Sequence, residues 1–180
     1  WNEGRIGIGT TNAKSGSLSR NIHTSGFVVG ADRRRGDDIM HGYAFQFGTE
    51  NIDIIPSRSG IFAKTYSLSM YGTKLIESHF FTNAILGISH IDLDTKREEK
   101  NNILAGTRNG NQIYGTINLG KRINADNYNF SPNIKLDLGY TRLDEYEEEN
   151  KFGTTTDVLL FKKHEIVTGL GTVGFLLDKS

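Results

Sequence analysis

The chain has 180 residues, with 21 Lys plus Arg against 21 Asp plus Glu, no cysteine, 36% hydrophobic residues and 21 glycines. Balanced charge removes the long-range field that polyanion binding uses, and the missing cysteines exclude disulfide frameworks and thiolate metal sites. No run approaches the ~18 apolar residues of a membrane helix.

Period-two alternation and the turn residues between runs predict eight strands, at 3–10, 26–34, 39–49, 62–73, 79–91, 112–121, 130–143 and 164–177. The second strand sets Phe27, Val29 and Ala31 against Gly26, Val28, Gly30 and Asp32. In the third, Tyr43, Phe45 and Phe47 oppose Gly42, Ala44, Gln46 and Gly48, and in the fourth Tyr66, Leu68 and Met70 oppose Thr65, Ser67, Ser69 and Tyr71. The fifth and eighth are less regular, because Phe80-Phe81 and Leu176-Leu177 put bulk on both faces. The seventh opens near Pro132 and alternates Ile134, Leu136, Leu138 and Tyr140 with Asn133, Lys135, Asp137 and Gly139.

Large apolar side chains on one face and small, polar or charged ones on the other describe a strand between lipid and a wet lumen. Asp32, Gln46, Lys135 and Asp137 are the lumen-facing candidates. Phe27, Val29, Tyr43, Phe45, Phe47, Tyr66, Leu68, Leu136 and Leu138 are the lipid-facing ones. Glycines within the strands supply curvature or room for large lumen neighbours.

The connectors alternate in length. Those at 35–38, 74–78 and 122–129 are short, whereas those at 11–25, 50–61, 92–111 and 144–163 are long. With the first strand rising, every short turn falls on one rim and every long loop on the other, as in outer-membrane barrels. The expected fold is therefore all-β, an antiparallel up-and-down transmembrane barrel, since only a closed barrel lets a chain without membrane helices cross lipid. Residues 1–180 read as one domain, and Trp1, with no initiator Met or signal segment before it, reads as the start of an excised piece.

Several constellations invite chemistry. His90, Asp92 and Asp94 share one strand face and supply acid, base or ligand groups, without a companion motif of catalysis or metal binding. His41, beside Asp37 and Asp38, suits a turn or capping role. The run Asp144 to Glu149 lacks the spacing of a calcium loop and reads as an outer loop that is solvated or contacts lipopolysaccharide cations. Arg33-Arg34-Arg35 beside Asp37-Asp38 reads as a turn with local charge pairing, and no aromatic interleaving accompanies it for nucleic acid. Gly7-Ile-Gly9 and Gly169-Leu-Gly171 lack the following helix of a dinucleotide site, so no cofactor is expected.

Ordered segments along the chain carry a resemblance. Trp1 precedes a glycine-alternating strand, followed by Gly26-Phe-Val-Val-Gly-Ala-Asp32-Arg-Arg, Tyr66-Ser-Leu-Ser-Met-Tyr71-Gly-Thr and a strand closing on Asp92-Leu-Asp-Thr-Lys-Arg97. The stretch Ser131-Pro-Asn-Ile-Lys-Leu-Asp-Leu-Gly-Tyr140-Thr-Arg-Leu-Asp-Glu-Tyr-Glu147 comes last. In this order they resemble the translocator β-domain of autotransporters, the type V secretion proteins. The resemblance implies a twelve-stranded barrel in the Gram-negative outer membrane, threaded by a helix leading to an exported passenger, with about eight strands present here. It implies translocation in place of enzymatic chemistry. The partners implied are outer-membrane lipid and lipopolysaccharide, the passenger polypeptide and the barrel assembly machinery. The chain departs from that pattern in lacking the pore helix, the last strands and a terminal aromatic residue after Asp178-Lys179-Ser180. The residues also leave open a small stand-alone eight-stranded outer-membrane barrel with a structural or adhesive role, and a soluble ligand-binding barrel.

Overall fold

In the computed structural model the described residues are 1–11, 18–76, 79–100, 102–125, 128–152 and 158–179. They form β1 (Asn2–Thr11), β2 (Ser19–Arg35), β3 (Ile39–Ile55), β4 (Ser59–Ile76), β5 (Phe80–Glu99), β6 (Asn102–Lys121), β7 (Ile123–Ala125), β8 (Tyr128–Leu143), β9 (Tyr146–Glu147), β10 (Glu149–Phe152), β11 (Leu160–Phe161) and β12 (His164–Lys179). The eight long strands make one antiparallel meander in the order β1-β2-β3-β4-β5-β6-β8-β12. β7 extends the edge of β6 along β8, β10 pairs with the far end of β6, and β9 with β11 forms a separate two-stranded ribbon. Among the described residues β1 and β12 form no ladder with each other, so the sheet is an open half-barrel and not a closed eight-stranded cylinder.

The predicted strands all occur, and the connectors differ from expectation: β4 runs to Ile76 within the short one at 74–78, β7 and the start of β8 lie within that at 122–129, and all four long ones hold strand. Much of the expected loops at 11–25, 50–61 and 92–111 is ladder: β2 starts at Ser19, β3 runs to Ile55, β4 starts at Ser59, and β5 and β6 run on to Glu99 and from Asn102. These polar stretches alternate less cleanly, yet backbone pairing from the β3–β4 and β5–β6 hairpins continues through them. At 20 residues each, β5 and β6 greatly exceed the about 9–11 that a tilted strand needs to cross lipid. The length asymmetry between rims thus persists as strand overhang. The fourth expected loop, 144–163, holds β9, β10 and β11. Portions of the expected connectors at 12–17, 77–78, 101, 126–127 and 153–157, and Ser180, lie outside the described residues.

On the opposite rim β2 and β3 turn through Gly36, whose φ of 67° is the left-handed conformation that glycine adopts without a Cβ penalty. Pro132 lies at a seam. The β6 ladder on β8 ends at Asn133 and that of β7 begins at Phe130, so the missing N–H falls near a break in pairing.

Among the described residues the sheet packs no extended apolar core. Among the described apolar side chains only Ala44, Ile103 and Leu104 are buried. Tyr43 is 61% exposed, Leu68 55% and Leu138 54%, and their neighbours continue the same face. A contiguous apolar face of this extent is foreign to a water-soluble monomer and suits lipid.

Candidate lumen wall and outer rim

Cross-strand partners lie on the same face of a sheet, so the register assigns every side chain to one of two sides. On the first side run Asp32–Gly42–Tyr71–Ile85–Thr116–Asp137, then Gly30–Ala44–Ser69–Gly87–Tyr114–Gly139, then Val28–Gln46–Ser67–Ser89–Gln112–Thr141. On the second run Phe27–Phe47–Tyr66–His90–Asn111–Arg142 and Val29–Phe45–Leu68–Ile88–Ile113–Tyr140. A further row on that side is Ala31–Tyr43–Met70–Leu86–Gly115–Leu138. The four lumen candidates therefore share one face, and the nine lipid candidates share the other, with Leu136 one row below Leu138.

The apolar stretch slides along the strands from one edge of the sheet to the other. On β1 it comprises Ile6 and Ile8, level with Ser25 and His23 of β2; on β12 it runs from Val167 to Leu177, level with Tyr140 to Phe130 of β8. Such drift is what a horizontal lipid belt imposes on strands tilted about 35–45° to the membrane normal.

On the small-residue face, glycines receive aromatic rings. A Cβ on Gly87 would collide with the Tyr114 ring opposite it, one on Gly120 with Phe81, one on Gly30 with Trp1, and one on Gly42 with the Tyr71 hydroxyl. Trp1 thereby reaches across β2 and β3: its indole Nε1–H donates to Tyr71 Oη at 2.7 Å, and Tyr71 Oη–H donates to Asp32 Oδ2 at 2.9 Å. Side chains two strands apart meet on this face, as they do on the inside of a curved wall. The Ser67 and Ser89 hydroxyls bond at 2.8 Å, both buried, and Gln112 Nε2 donates to Thr141 Oγ1 at 2.9 Å. Asp137 accepts from Thr116 Oγ1 at 2.6 Å and pairs with Lys135 Nζ at 3.0 Å. The structure thus ties Asp32 to Tyr71 and joins Lys135 to Asp137 within β8.

Phe81 fills the space over Gly120, while Phe80 points to the apolar face with Lys121 Nζ 5.0 Å from its ring. That resolves the doubled bulk of the fifth strand.

His90, Asp92 and Asp94 lie on the apolar side, above the belt. His90 Nε2 is 3.0 Å from Asp92 Oδ1 and Nδ1 is 3.1 Å from Asn111 Oδ1, while Asp94 accepts from Thr107 Oγ1 at 3.1 Å. Among the described residues no three such groups converge on a metal position. His41 is not a turn or cap residue; it lies within β3, between Arg33 and Gly72 in the ladder. Local pairing of the arginine run is absent too: among the described residues Arg33, Arg34 and Arg35 form no ion pair with Asp37 or Asp38, and all five are exposed.

The acidic run 144–149 departs from a uniformly solvated loop at Glu148, which is only 4% exposed. Arg97 grips its carboxylate through two bonds, Nε to Oε1 at 2.9 Å and Nη2 to Oε2 at 2.6 Å, and the Leu159 N–H adds a third at 3.2 Å. These bonds, led by the guanidinium, hold the Glu148 carboxyl below its ordinary value of 4.5 against burial, which pushes it up. Tyr146 covers Gly106, stacks on Phe161 at 4.6 Å and lies under Arg108, whose guanidinium carbon is 5.7 Å from the ring. Arg108 also donates to the carbonyls of Asp144, Leu143 and Lys162. Since Arg97, Leu104, Gly106 and Arg108 continue the small-residue face of β5 and β6, this segment folds inward over the overhang. On the other face Arg58 Nε holds Glu98 Oε1 at 2.8 Å, and its backbone N–H donates to Oε2 at 2.8 Å. These bonds lower the Glu98 pKa.

Alternation had already separated the two faces. It did not reveal the pairs Trp1–Tyr71–Asp32, Ser67–Ser89 or Arg97–Glu148, whose partners lie 22 to 70 residues apart. For the Trp1–Tyr71 contact the sequence signal is a glycine in line with each aromatic ring, Gly30 and Gly42, and it needs the register to be seen.

The fold has solved counterparts. The translocator domain of the autotransporter NalP from Neisseria meningitidis superposes with a TM-score of 0.83 at 12% identity, over 98% of this chain and 59% of that domain. The β-domain of the Bordetella autotransporter BrkA gives 0.55 at 11% identity, over 99% of this chain and 79% of that one. The unliganded ferric citrate transporter FecA gives 0.58 at 7% identity, over 98% and 32%. The chain thus spans about three fifths of the NalP domain. No curated protein sequence matches it. The family model of the autotransporter β-domain matches residues 1–177, nearly the entire chain, and the chain therefore belongs to that family of Gram-negative outer-membrane barrels.

Proposed function

We propose that residues 1–180 form one domain, part of the barrel wall through which an autotransporter passenger reaches the cell surface and by which it stays anchored. The face of Phe27, Val29, Tyr43, Phe45, Phe47, Tyr66, Leu68, Leu136 and Leu138 meets the hydrocarbon of the membrane, and that of Asp32, Gln46, Lys135 and Asp137 lines the lumen. The observation that carries this reading is the lateral sorting of side chains, with row after row of Gly, Ala, Ser and Gln on one side and aromatic and aliphatic residues on the other. Small polar residues leave an extended polypeptide room to slide and donors and acceptors to replace water, and they offer no deep apolar pocket to hold it. The work is transport, without bond chemistry. Lipopolysaccharide around the outer rim and the barrel assembly machinery are the further partners of this reading.

The native chain has no cysteine, so single thiols report position without background. In cells making the whole protein with a passenger arrested in transit, a passenger thiol is expected to cross-link to Gln46→Cys or Ser69→Cys and not to Phe45→Cys or Leu68→Cys. Equal cross-linking from both faces, or none from the lumen pair in a folded barrel, refutes the reading.

A further inference from the structure

The two ends of the lipid face differ in how their charges are mixed. Toward the overhanging rim that face carries both signs, Asp53, Asp92, Asp94, Glu98 and Glu165 beside Lys64, Lys96 and Arg142. Toward the short turns its ladder rows carry Arg33, Arg35, Lys74 and Lys121 and, among the described residues, no acid, Asp37 and Asp38 lying in the turn itself. Arg33, Arg35 and Lys74 are exposed and form no ion pair among the described residues. Hydration alone needs no such asymmetry, because either sign anchors a strand end at a water interface. Like charges left side by side call for an anionic counterpart from outside the chain.

Register gathers three of them. Arg35 on β2 and Lys74 on β4 flank Ile39 of β3 in one row, and Arg33 stands next to His41 in the row above. β2 and β4 lie about 10 Å apart, two strand spacings, so all three long side chains reach one point over Ile39. Immediately beyond them the surface turns apolar through Ala31, Tyr43 and Met70.

We propose that this corner of β2–β4 is a binding site for an anionic phospholipid of the periplasmic leaflet. Arg33, Arg35 and Lys74 hold the headgroup phosphate, the guanidinium groups through paired N–H donors, and the acyl chains lie along Tyr43 and Met70. The inference rests on the face assignment above, and its readout is lipid retention, independent of passenger export.

The test uses the full-length protein, extracted folded and equilibrated with mixed micelles holding equal phosphatidylglycerol and phosphatidylethanolamine, with native mass spectrometry counting each retained lipid. The wild type is expected to prefer phosphatidylglycerol and to release it at high salt. The R33Q/R35Q/K74Q variant is expected to lose that preference by about tenfold or more, whereas K64Q/R142Q keeps it. Heat-modifiable migration checks folding. Should the triple variant not fold, the single variants R35Q and K74Q must each weaken the preference. No preference in the wild type, a preference indifferent to salt, or equal retention by the triple variant overturns the site. Unchanged lipid retention with weakened capture of the assembly machinery by the triple variant overturns it in favour of a protein-docking surface.

Discussion

At the scale of single residues, the wall depends on absent side chains as much as on present ones. Gly87 is opposite Tyr114, and any Cβ there would occupy the space of the phenol ring. Gly87→Val is expected to cost about 1–3 kcal/mol, the usual penalty of overpacking. The double variant with Tyr114→Ala should recover much of it, because the two sites share one volume and their effects are not additive. Thermal midpoints of the heat-modifiable transition for the single and double variants check this, and strictly additive losses contradict the pairing. A second residue-scale prediction concerns Glu148. Its carboxyl pKa is lowered in the folded state by Arg97, so its contribution to stability is complete above the ordinary value of 4.5 and is lost as pH falls below that toward the folded value. Glu148→Gln, which removes the buried carboxylate that takes two of the Arg97 bonds while Glu99 stays 3.3 Å away, should loosen the segment by about 1–3 kcal/mol and abolish that acid dependence. Hydrogen exchange at Tyr146, Leu159 and Phe161 across pH 3–6 follows it, with exchange in β4 unaffected.

At the scale of elements, each long strand is an alternating ribbon, apolar on one face and small or polar on the other. Tyr43→Arg or Leu68→Arg is expected to impair insertion by about 2–4 kcal/mol near the midplane, while Gln46→Arg, one residue from Phe45 but on the other face, is tolerated. Folding yields in lipid vesicles measure the contrast, and equal tolerance would mean the register is wrong. This much was legible in the chain, because period-two patterning follows from strand geometry. Strand length was not. Residues 50–55 and 92–99 carry polar and charged side chains on both faces and read as loop, yet hairpin pairing prolongs the ladder past the lipid, where both faces meet water. Glu148 was hidden for a related reason: a run of acids reads as solvated until a partner 51 residues away in sequence is brought to it by the β5–β6 overhang. His41 and the arginine run were assigned to a turn by their neighbours, whereas the ladder reaches Arg35 and Ile39 and leaves only Gly36 to Asp38 for the turn itself.

At the scale of the molecule, the open edges of the half-barrel decide its state in the membrane. Along β1 and β12 one side of each backbone has no ladder partner among the described residues. In hydrocarbon each unpaired N–H or C=O costs several kcal/mol, so both edges must be covered once the wall is inserted. Either β1 and β12 close on each other, or further β-structure stands between them. Among the described residues the strand order ends at β1 and β12 with no ladder between them, and the chain spans only 59% of the NalP translocator domain on which it superposes. Further strands are therefore expected. With four of them the edges stand five strand spacings apart around the wall, roughly 24 Å, beyond the about 4.4–6.8 Å that a disulfide spans between Cα atoms. In the full-length protein Ile6→Cys with Val173→Cys, both mid-belt on the apolar face, should stay reduced under mild oxidation, while the control Val29→Cys with Phe45→Cys, registered neighbours on β2 and β3, should form a disulfide. A bridge between positions 6 and 173 in the folded, heat-modifiable species would show instead that eight strands close by themselves.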